Sequence, residues 1–340
     1  MKRLLMLVIV LAFTLLAKSN TGAIVDYFNN VKIGDPVEYR NLRIFPILAT
    51  STLSHIDYAT MDEAMDRGWL KIRESGTGNV NTVEVRNDGK EMVFILTGEM
   101  VTGARQDRMV EKDVLLPSHS GWIKVAVYCV EHGRWSGPTP EFKSSRLVAP
   151  NVVRERAKNT ESQSEVWAGV AESQSKLNIG SATGNVKDNY EDKKVQKEIN
   201  DYEQNFDKIP GLSRSTIGVV VTTGSRIICF DMFANNDLLK KFWRKLIKSY
   251  AMDAISGEKS NLDKYDINDF LETISKAKYV SAGTPGLGDL YSIESQIGKG
   301  SALVHEDAVV HMDFFPRADI IRHHDSDLKL DFRREQRRKD

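Results

Sequence analysis

Up to about residue 150 the chain is patterned in twos, and beyond it in threes and fours. Between Val37 and Glu131 lie "VEYRNLRIFPIL", "WLKIRE", "NTVEVRN" and "EMVFILTG", β-branched and aromatic runs parted by Gly, Asn and Asp, as strands are. "VRNDGKEMVFIL" reads as a hairpin, because Asn87, Asp88 and Gly89 tolerate positive φ. One short helix interrupts, "YATMDEAMDRGWL", in which Thr60 and Glu63 are spaced as a capping box and Gly68 supplies a stop. "DVLLPSHSGWIKVAVYCVE" adds two strands around a turn at Pro117–Gly121.

After Pro150 the period lengthens. Ser162 and Glu165 repeat the capping-box spacing ahead of Val166, Trp167 and Val170. Val195, Ile199, Tyr202 and Phe206 make an amphipathic face that ends at Pro210-Gly211. In "NDLLKKFWRKLIKSYAMDAI" a stripe of Leu239, Phe242, Trp243, Leu246, Tyr250 and Ala254 sets the lysines opposite. "DINDFLETISKA" is a further helix, "TIGVVVTTGSRIICF" a hairpin about Thr223-Gly224, and "SALVHEDAVVHMDFF" a return to strand. The order predicts an α+β fold and excludes a doubly wound sheet or a repeat array. One domain is expected over 24–318, with a β-rich half of mostly antiparallel strands at about 32–150 and a mixed helix/strand half at about 151–318.

The ends carry other information. Lys2 and Arg3 precede an uncharged apolar run from Leu4 to Ala17, the layout of a secretory signal, and too short to span a bilayer, which takes about 20 residues. A signal peptide over 1–23 is therefore expected, cleaved after Ser19 or Ala23, with a retained anchor as the rival reading. The protein is expected to be exported, periplasmic or secreted, with no membrane span after cleavage. Of 47 basic and 47 acidic residues, loss of Lys2, Arg3 and Lys18 leaves 44 basic; no field on that scale calls for nucleic acid. Residues 319–340 are charge-dense, apolar-poor and expected to be disordered. Only Cys129 and Cys229 could pair; a bridge closing about 100 residues would contribute roughly 4–5 kcal/mol, but two separate buried thiols are the preferred reading.

Several motifs carry little. "GTPGLGDL" and "GKGSAL" lack the order and setting of nucleotide loops and read as turns. On one strand His305 and His311 would stand roughly 20 Å apart, at about 3.3 Å per residue, too far to share a cation. No metal site is expected, and the sequence identifies no cofactor. The informative stretches are "GEMVTGARQDRMVEKDV" and "YCVEHGRWSG", which set Glu99, Gln106, Asp107 and Arg108, then Glu131, Arg134 and Trp135, against apolar strands. Two carboxylates among guanidiniums suit an ion-pair brace at a sheet corner. They suit equally a site that binds phosphate or a ribose diol, and the residues alone leave both open.

The two blocks resemble the core motifs of the family named for its association with ADP-ribosylglycohydrolase and rhodanese-phosphatase proteins, G-E-x-x-x-G-A-x-Q-N-R followed by C-V-E-x-G-R-W. Gly98, Glu99, Gly103, Ala104, Gln106 and Arg108 match the first block; Cys129, Val130, Glu131, Gly133, Arg134 and Trp135 match the second. Later stretches resemble later blocks, so the likeness covers nearly the whole mature chain. Asp107 departs from the pattern's Asn, and Asp cannot donate to a ligand carbonyl. The resemblance implies a setting in ADP-ribose metabolism. A hydrolase of ADP-ribose-like, ribosyl or phosphate-bearing compounds would use Glu99 and Glu131 as acid and base. Gln106, Asp107, Arg108, Arg134 and Trp135 would then bind the nucleotide- or sugar-like ligand, and Cys129 would be a packed thiol on the site wall. The alternative is a non-catalytic extracytoplasmic domain that binds a ligand or a protein and uses the same cluster structurally.

Overall fold

The computed structural model describes residues 21–76, 80–134 and 140–318; the N-terminal apolar run, Trp135 and the tail 319–340 lie outside the described residues. Helix occupies 33% and strand 36%, so neither class dominates and the fold is α+β.

Alternation builds a barrel. Strands β5 (Leu70–Glu74), β6 (Thr82–Asn87), β8 (Glu99–Gly103), β9 (Arg108–Val110), β11 (Gly121–Cys129) and β12 (Glu141–Val148) close in the order β11-β6-β5-β12-β8-β9, every pair antiparallel. Every second residue points inward, so Leu70, Ile72, Val83, Val85, Val101, Val110, Val125, Val127 and Phe142 fill the interior. Beside it lies a small sheet of β10 (Val114–Leu116), β7 (Val93–Ile95) and β4 (Ala59–Thr60), whose β4–β7 pair is parallel.

The expected hairpin at Asn87–Gly89 does not form, because β6 belongs to the barrel and β7 to the small sheet. The turn residues act as anticipated, but toward another end. The Asn87 side chain accepts from Gly89 N–H at 2.9 Å and donates to the Glu91 and Pro117 carbonyls at 2.8 and 2.9 Å, steering the chain out of the barrel.

A nine-stranded antiparallel sheet forms the other half. Strands β1 (Val31–Ile33), β2 (Val37–Tyr39) and β3 (Leu42–Ala49) join β13 (Thr216–Thr223), β14 (Arg226–Phe233), β15 (Lys278–Ala282), β16 (Asp289–Ser295), β17 (Gly298–His305) and β18 (Ala308–Pro316). The first strands of the chain thus complete the sheet of its last third, which makes the two sequence halves interdependent. Helix α1 (Thr21–Asn29) buries Ala23, Ile24 and Tyr27 on one face of this sheet beside α8 (Lys264–Ser275). The other face meets α3 (Asn151–Thr160), α4 (Gln163–Leu177), α6 (Lys193–Phe206) and α7 (Asn236–Ile255), and a shared core runs from there to Phe94, Met100, Met109 and Tyr128. Among the described residues, no helix is long and apolar enough to cross a membrane.

Local signals met mixed fates. In α2 (Met61–Asp66) the capping box is present, with Glu63 N–H on Thr60 Oγ1 at 3.2 Å and Thr60 N–H on Glu63 Oε2 at 2.8 Å; Gly68 follows at φ +71°. Its repeat at α4 is not a box: Ser162 Oγ meets Ser164 Oγ and Glu165 pairs with Arg156. The α6 face is buried as its spacing predicts, below the short α5 (Lys187–Glu191). The β13–β14 hairpin turns at Gly224, φ +56°. "HEDAVVH" is a hairpin rather than one strand, since Glu306 and Asp307 both take positive φ, and His305 and His311 fall on paired strands. Nor is "GKG" a turn. Gly298 and Gly300 lie within β17, where a Cβ would stand 2.2 Å from Phe315 O and 2.1 Å from Asp313 O.

Candidate functional site

The second motif block ends β11 at one end of the barrel. There residues 130–133 pair with the 183–186 segment between α4 and α5: Val186 N–H donates to Val130 O at 3.0 Å and Gly133 N–H to Thr183 O at 2.6 Å. A Cβ on Gly133 would stand 3.0 Å from Thr183 Cα, so the motif glycine permits this contact. It delivers two further polar side chains, Thr183 and Asn185, to the motif.

All the acceptors here are occupied. Glu131 Oε2 accepts from Arg134 Nε and Nη2 at 2.8 and 2.6 Å and from Asp107 N–H at 3.2 Å; Oε1 accepts from Thr183 Oγ1 at 3.0 Å. Burial alone would raise its pKa, but the Arg134, Asp107 and Thr183 donors outweigh that and hold it below the usual range. Asp107 Oδ1 accepts from Thr102 Oγ1, Gly103 N–H and Arg134 Nη2, and its Oδ2 accepts from Asn185 Nδ2 at 3.0 Å. Every partner is a donor, so a carboxylate suits the position, and the departure from Asn has a local reason. Arg134 further donates to the Ala104 carbonyl at 2.9 Å, and Gln106 Nε2 to the Glu131 carbonyl at 2.8 Å.

Glu99 is elsewhere. It begins β8, whose far end, Gly103, touches Arg134; four residues at about 3.3 Å each put roughly 13 Å between the two ends. Its side chain is fully buried, with Oε1 on Lys245 Nζ and Oε2 taking Leu96 N–H at 2.9 Å. Lys245 also meets Asp62 Oδ2 at 2.7 Å. Burial, with Asp62 adding to it, raises the Glu99 pKa against Lys245; burial lowers that of Lys245, but the two carboxylates more than restore it. One lysine of α7, expected on the solvent side, is thus buried between two carboxylates. Glu99 and Glu131 do not face one bond: paired carboxylates of glycoside hydrolysis stand within about 5–9.5 Å.

Arg108 is tied to the corner only through neutral oxygens. It sits in β9 opposite Val101 and Cys129, 3% exposed. Its Nη1 donates to Gln106 Oε1 at 3.2 Å and, at 3.4 Å, to the Asp107 carbonyl, both neutral. Burial lowers its pKa. Cys129 is buried with its thiol on the Glu131 carbonyl at 3.1 Å and its pKa raised by burial, and Cys229 is buried and unbridged too. The imidazole of His132 meets Trp167 edge-on at 4.4 Å.

A larger polar assembly lies between barrel and sheet, built mostly from residues outside the two motif blocks. Arg154 of α3 grips Asp231 of β14 through Nη1 and Nη2 at 3.2 and 2.7 Å; Tyr250 donates to Asp231 at 2.6 Å. His311 Nδ1 lies 2.7 Å from Asp113, and its Nε2 is 3.4 Å from Asp231. Burial would lower the His311 pKa, but Asp113 and Asp231 push it up to about 9. Lys158 reaches Asp313 at 3.0 Å and Ser301 at 2.7 Å. Gly98 belongs to this assembly: at φ +86°, its missing Cβ leaves room for Arg154 Nε, which would otherwise stand 3.0 Å away. The available signal was polar residues inside apolar strands, Asp231 in "IICFDMF" and His311 and Asp313 in "VVHMDFF".

Above this assembly is a small cleft of about 10 Å³, lined by Thr97, Gly98, Glu111, Arg154, Lys158 and Phe315, room for about one water and far below the roughly 300–1,000 Å³ of ligand pockets. Among the described residues, no group of three His, Cys, Asp or Glu is placed to hold a metal. The family model of the ARG and Rhodanese-Phosphatase-superfamily-associated Protein domain, ARPP-1, matches residues 30–315. No curated protein and no solved structure matches the chain.

Proposed function

The chain belongs to the ARPP-1 family, and on that premise we propose that it is an exported, non-catalytic binding domain whose motif carboxylates hold the fold. One observation carries this reading: Glu99, Asp107 and Glu131 each have both oxygens committed to protein donors. The acid–base reading of Glu99 and Glu131 needs a carboxylate able to take or give a proton at the substrate. Glu131, held ionised by Arg134, is poorly placed to give one, and Glu99 faces Lys245 in the interior. The ligand in this reading is a nucleotide- or sugar-like small molecule bound beside the cluster.

Export rests on the N-terminal sequence. Because Ala23 and Ile24 pack in α1, cleavage after Ser19 leaves that helix whole, and mass spectrometry of the exported protein should find Asn20 at its start. The function is tested by thermal-shift screening with ADP-ribose, NAD, nucleotides and sugars, then turnover assays on each hit. Saturable binding without turnover is expected. Turnover lost about 10²-fold in a folded Glu131→Gln variant would overturn the proposal and restore the acid–base reading.

A further inference from the structure

Arg108 is a cation taken almost wholly out of water, and among the described residues no carboxylate is in contact with it. The two carboxylates whose charge it feels, Glu74 and Asp107, are turned to other donors. Glu74 takes Arg105 N–H at 3.0 Å and the Arg105 guanidinium at 3.4 Å, and Asp107 is filled as described. Only Nη1 of Arg108 is used, on the neutral Gln106 and Asp107 oxygens. Its other edge, Nε and Nη2, makes no hydrogen bond to any described residue. That edge is the side of a guanidinium that receives two oxygens of a carboxylate or phosphate in parallel. The buried Nε1–H of Trp167 is turned toward the Cys129 thiol, directly across the strand pair from Arg108, and among the described residues it meets no oxygen acceptor. Gln163, one helical turn before Trp167, fixes that helix to the Cys129 backbone through two 2.8 Å hydrogen bonds.

We infer that the free edge of Arg108, at the end of the barrel beside Cys129, is the anchor for the terminal oxyanion of the ligand, a phosphate or a carboxylate. The inference rests on the binding-domain reading and names the group that is bound. An unpaired buried cation costs stability that a structural role would not require. With Arg108 3% exposed, only the end group of a ligand reaches it, and the rest must lie outside the barrel. Arg134 cannot share the task, since its fork is spent on Glu131, Asp107 and Ala104.

The test is calorimetric titration of the purified protein with inorganic phosphate, acetate and ADP-ribose, on the wild type and on Arg108→Gln, Arg108→Lys and Arg105→Gln. Saturable binding is expected, weakened at least tenfold by Arg108→Gln, partly kept by Arg108→Lys, which retains charge but not the fork, and unchanged by Arg105→Gln. Phosphate binding without acetate binding assigns the oxyanion as phosphate, and the reverse as carboxylate. Arg108→Met should raise Tm by a few degrees, since it removes a desolvated charge. A lower Tm, or failure of the Gln and Lys variants to fold, would mean that Arg108 braces the barrel end and overturns the inference. Binding equal in Arg108→Gln and wild type, or absent for all three probes, overturns it as well. A nucleotide that binds Arg108→Gln undiminished leaves the binding-domain reading standing, whereas turnover of ADP-ribose removes that reading and leaves the anchor.

Discussion

The corner built by the motif and the polar assembly beneath it use the same chemistry to different ends. At the corner, Glu131, Asp107 and Arg134 lie within one end of the barrel and its adjoining segment, and Arg134 keeps a 27% exposed side chain. Between barrel and sheet, Asp113, His311, Asp231, Arg154 and Tyr250 come from five separate segments, and His311, Asp113 and Asp231 are wholly buried. Solvent can take up a partner lost at the corner. Nothing can do so in the interior, where a charge without its partner keeps its full desolvation penalty. The corner therefore keeps its charges within reach of solvent, and the buried assembly is the clamp between barrel and sheet.

The strongest way to break this comparison is Asp231→Leu. It strips Arg154 of the only carboxylate it holds among the described residues and Tyr250 of its acceptor, so a loss of about 3–5 kcal/mol, or failure to fold, is expected. Adding Arg154→Met should recover a large part of the loss in urea unfolding, because the orphaned cation goes with it. A single-variant loss under about 1 kcal/mol would show that the assembly is not a clamp.

The two regions should also part on the pH axis. His311 is raised from 6.5 to about 9 in the fold, so its contribution is complete below about 6.5 and is lost as pH climbs through 9. Glu131 is lowered, so its contribution is present above 4.5 and is lost as pH falls through the folded value. Unfolding free energies from urea titrations between pH 6 and 10 should therefore fall on the alkaline side by an amount on the order of a few kcal/mol. His311→Gln should flatten that limb while Glu131→Gln leaves it intact. Asp113 and Asp231, both lowered, add only to the acid limb. An alkaline limb that survives in His311→Gln would place its origin elsewhere.

At the corner the effects shrink. Glu131→Gln puts a neutral oxygen beside Arg134, which keeps Asp107 and is partly solvated, so about 1–2 kcal/mol is expected. A loss as large as that of Asp231→Leu would erase the distinction between the two regions.

How much of this was legible in the sequence depended on how local each feature is. The Thr60–Glu63 box, the α6 stripe and the Gly224 hairpin involve residues within a few positions of each other, and all three are present. Asn87–Gly89 told where the chain turns but not which strand it would pair with, a choice made by β5, β10 and β11. Lys245 carried no mark that set it apart from the other lysines of α7, since its burial depends on Glu99 and Asp62 from two distant elements. The motif brought Asp107, Glu131 and Arg134 into one cluster and left Glu99 at the other end of β8. It gave no sign of Thr183 and Asn185, some 50 residues beyond Glu131, which complete the donor sets of Glu131 and Asp107.

The smallest expected effect tests the one departure from the family pattern. In Asp107→Asn, Oδ1 can keep Thr102, Gly103 and Arg134, but the new amide faces Asn185 Nδ2, donor against donor. Turning the Asn185 amide over would supply an acceptor, yet its Oδ1 already takes Lys187 N–H at 2.8 Å. The variant should therefore lose about 1 kcal/mol. Adding Asn185→Asp exchanges the roles: one oxygen keeps Lys187 N–H and the other accepts from the amide introduced at position 107. Most of the loss should return in urea unfolding of the double variant, a coupling of the size expected for side chains in one network. If Asp107→Asn is neutral alone and Asn185→Asp destabilises in both backgrounds, the carboxylate is not fixed by its four donors, and position 107 regains its standing as a ligand contact.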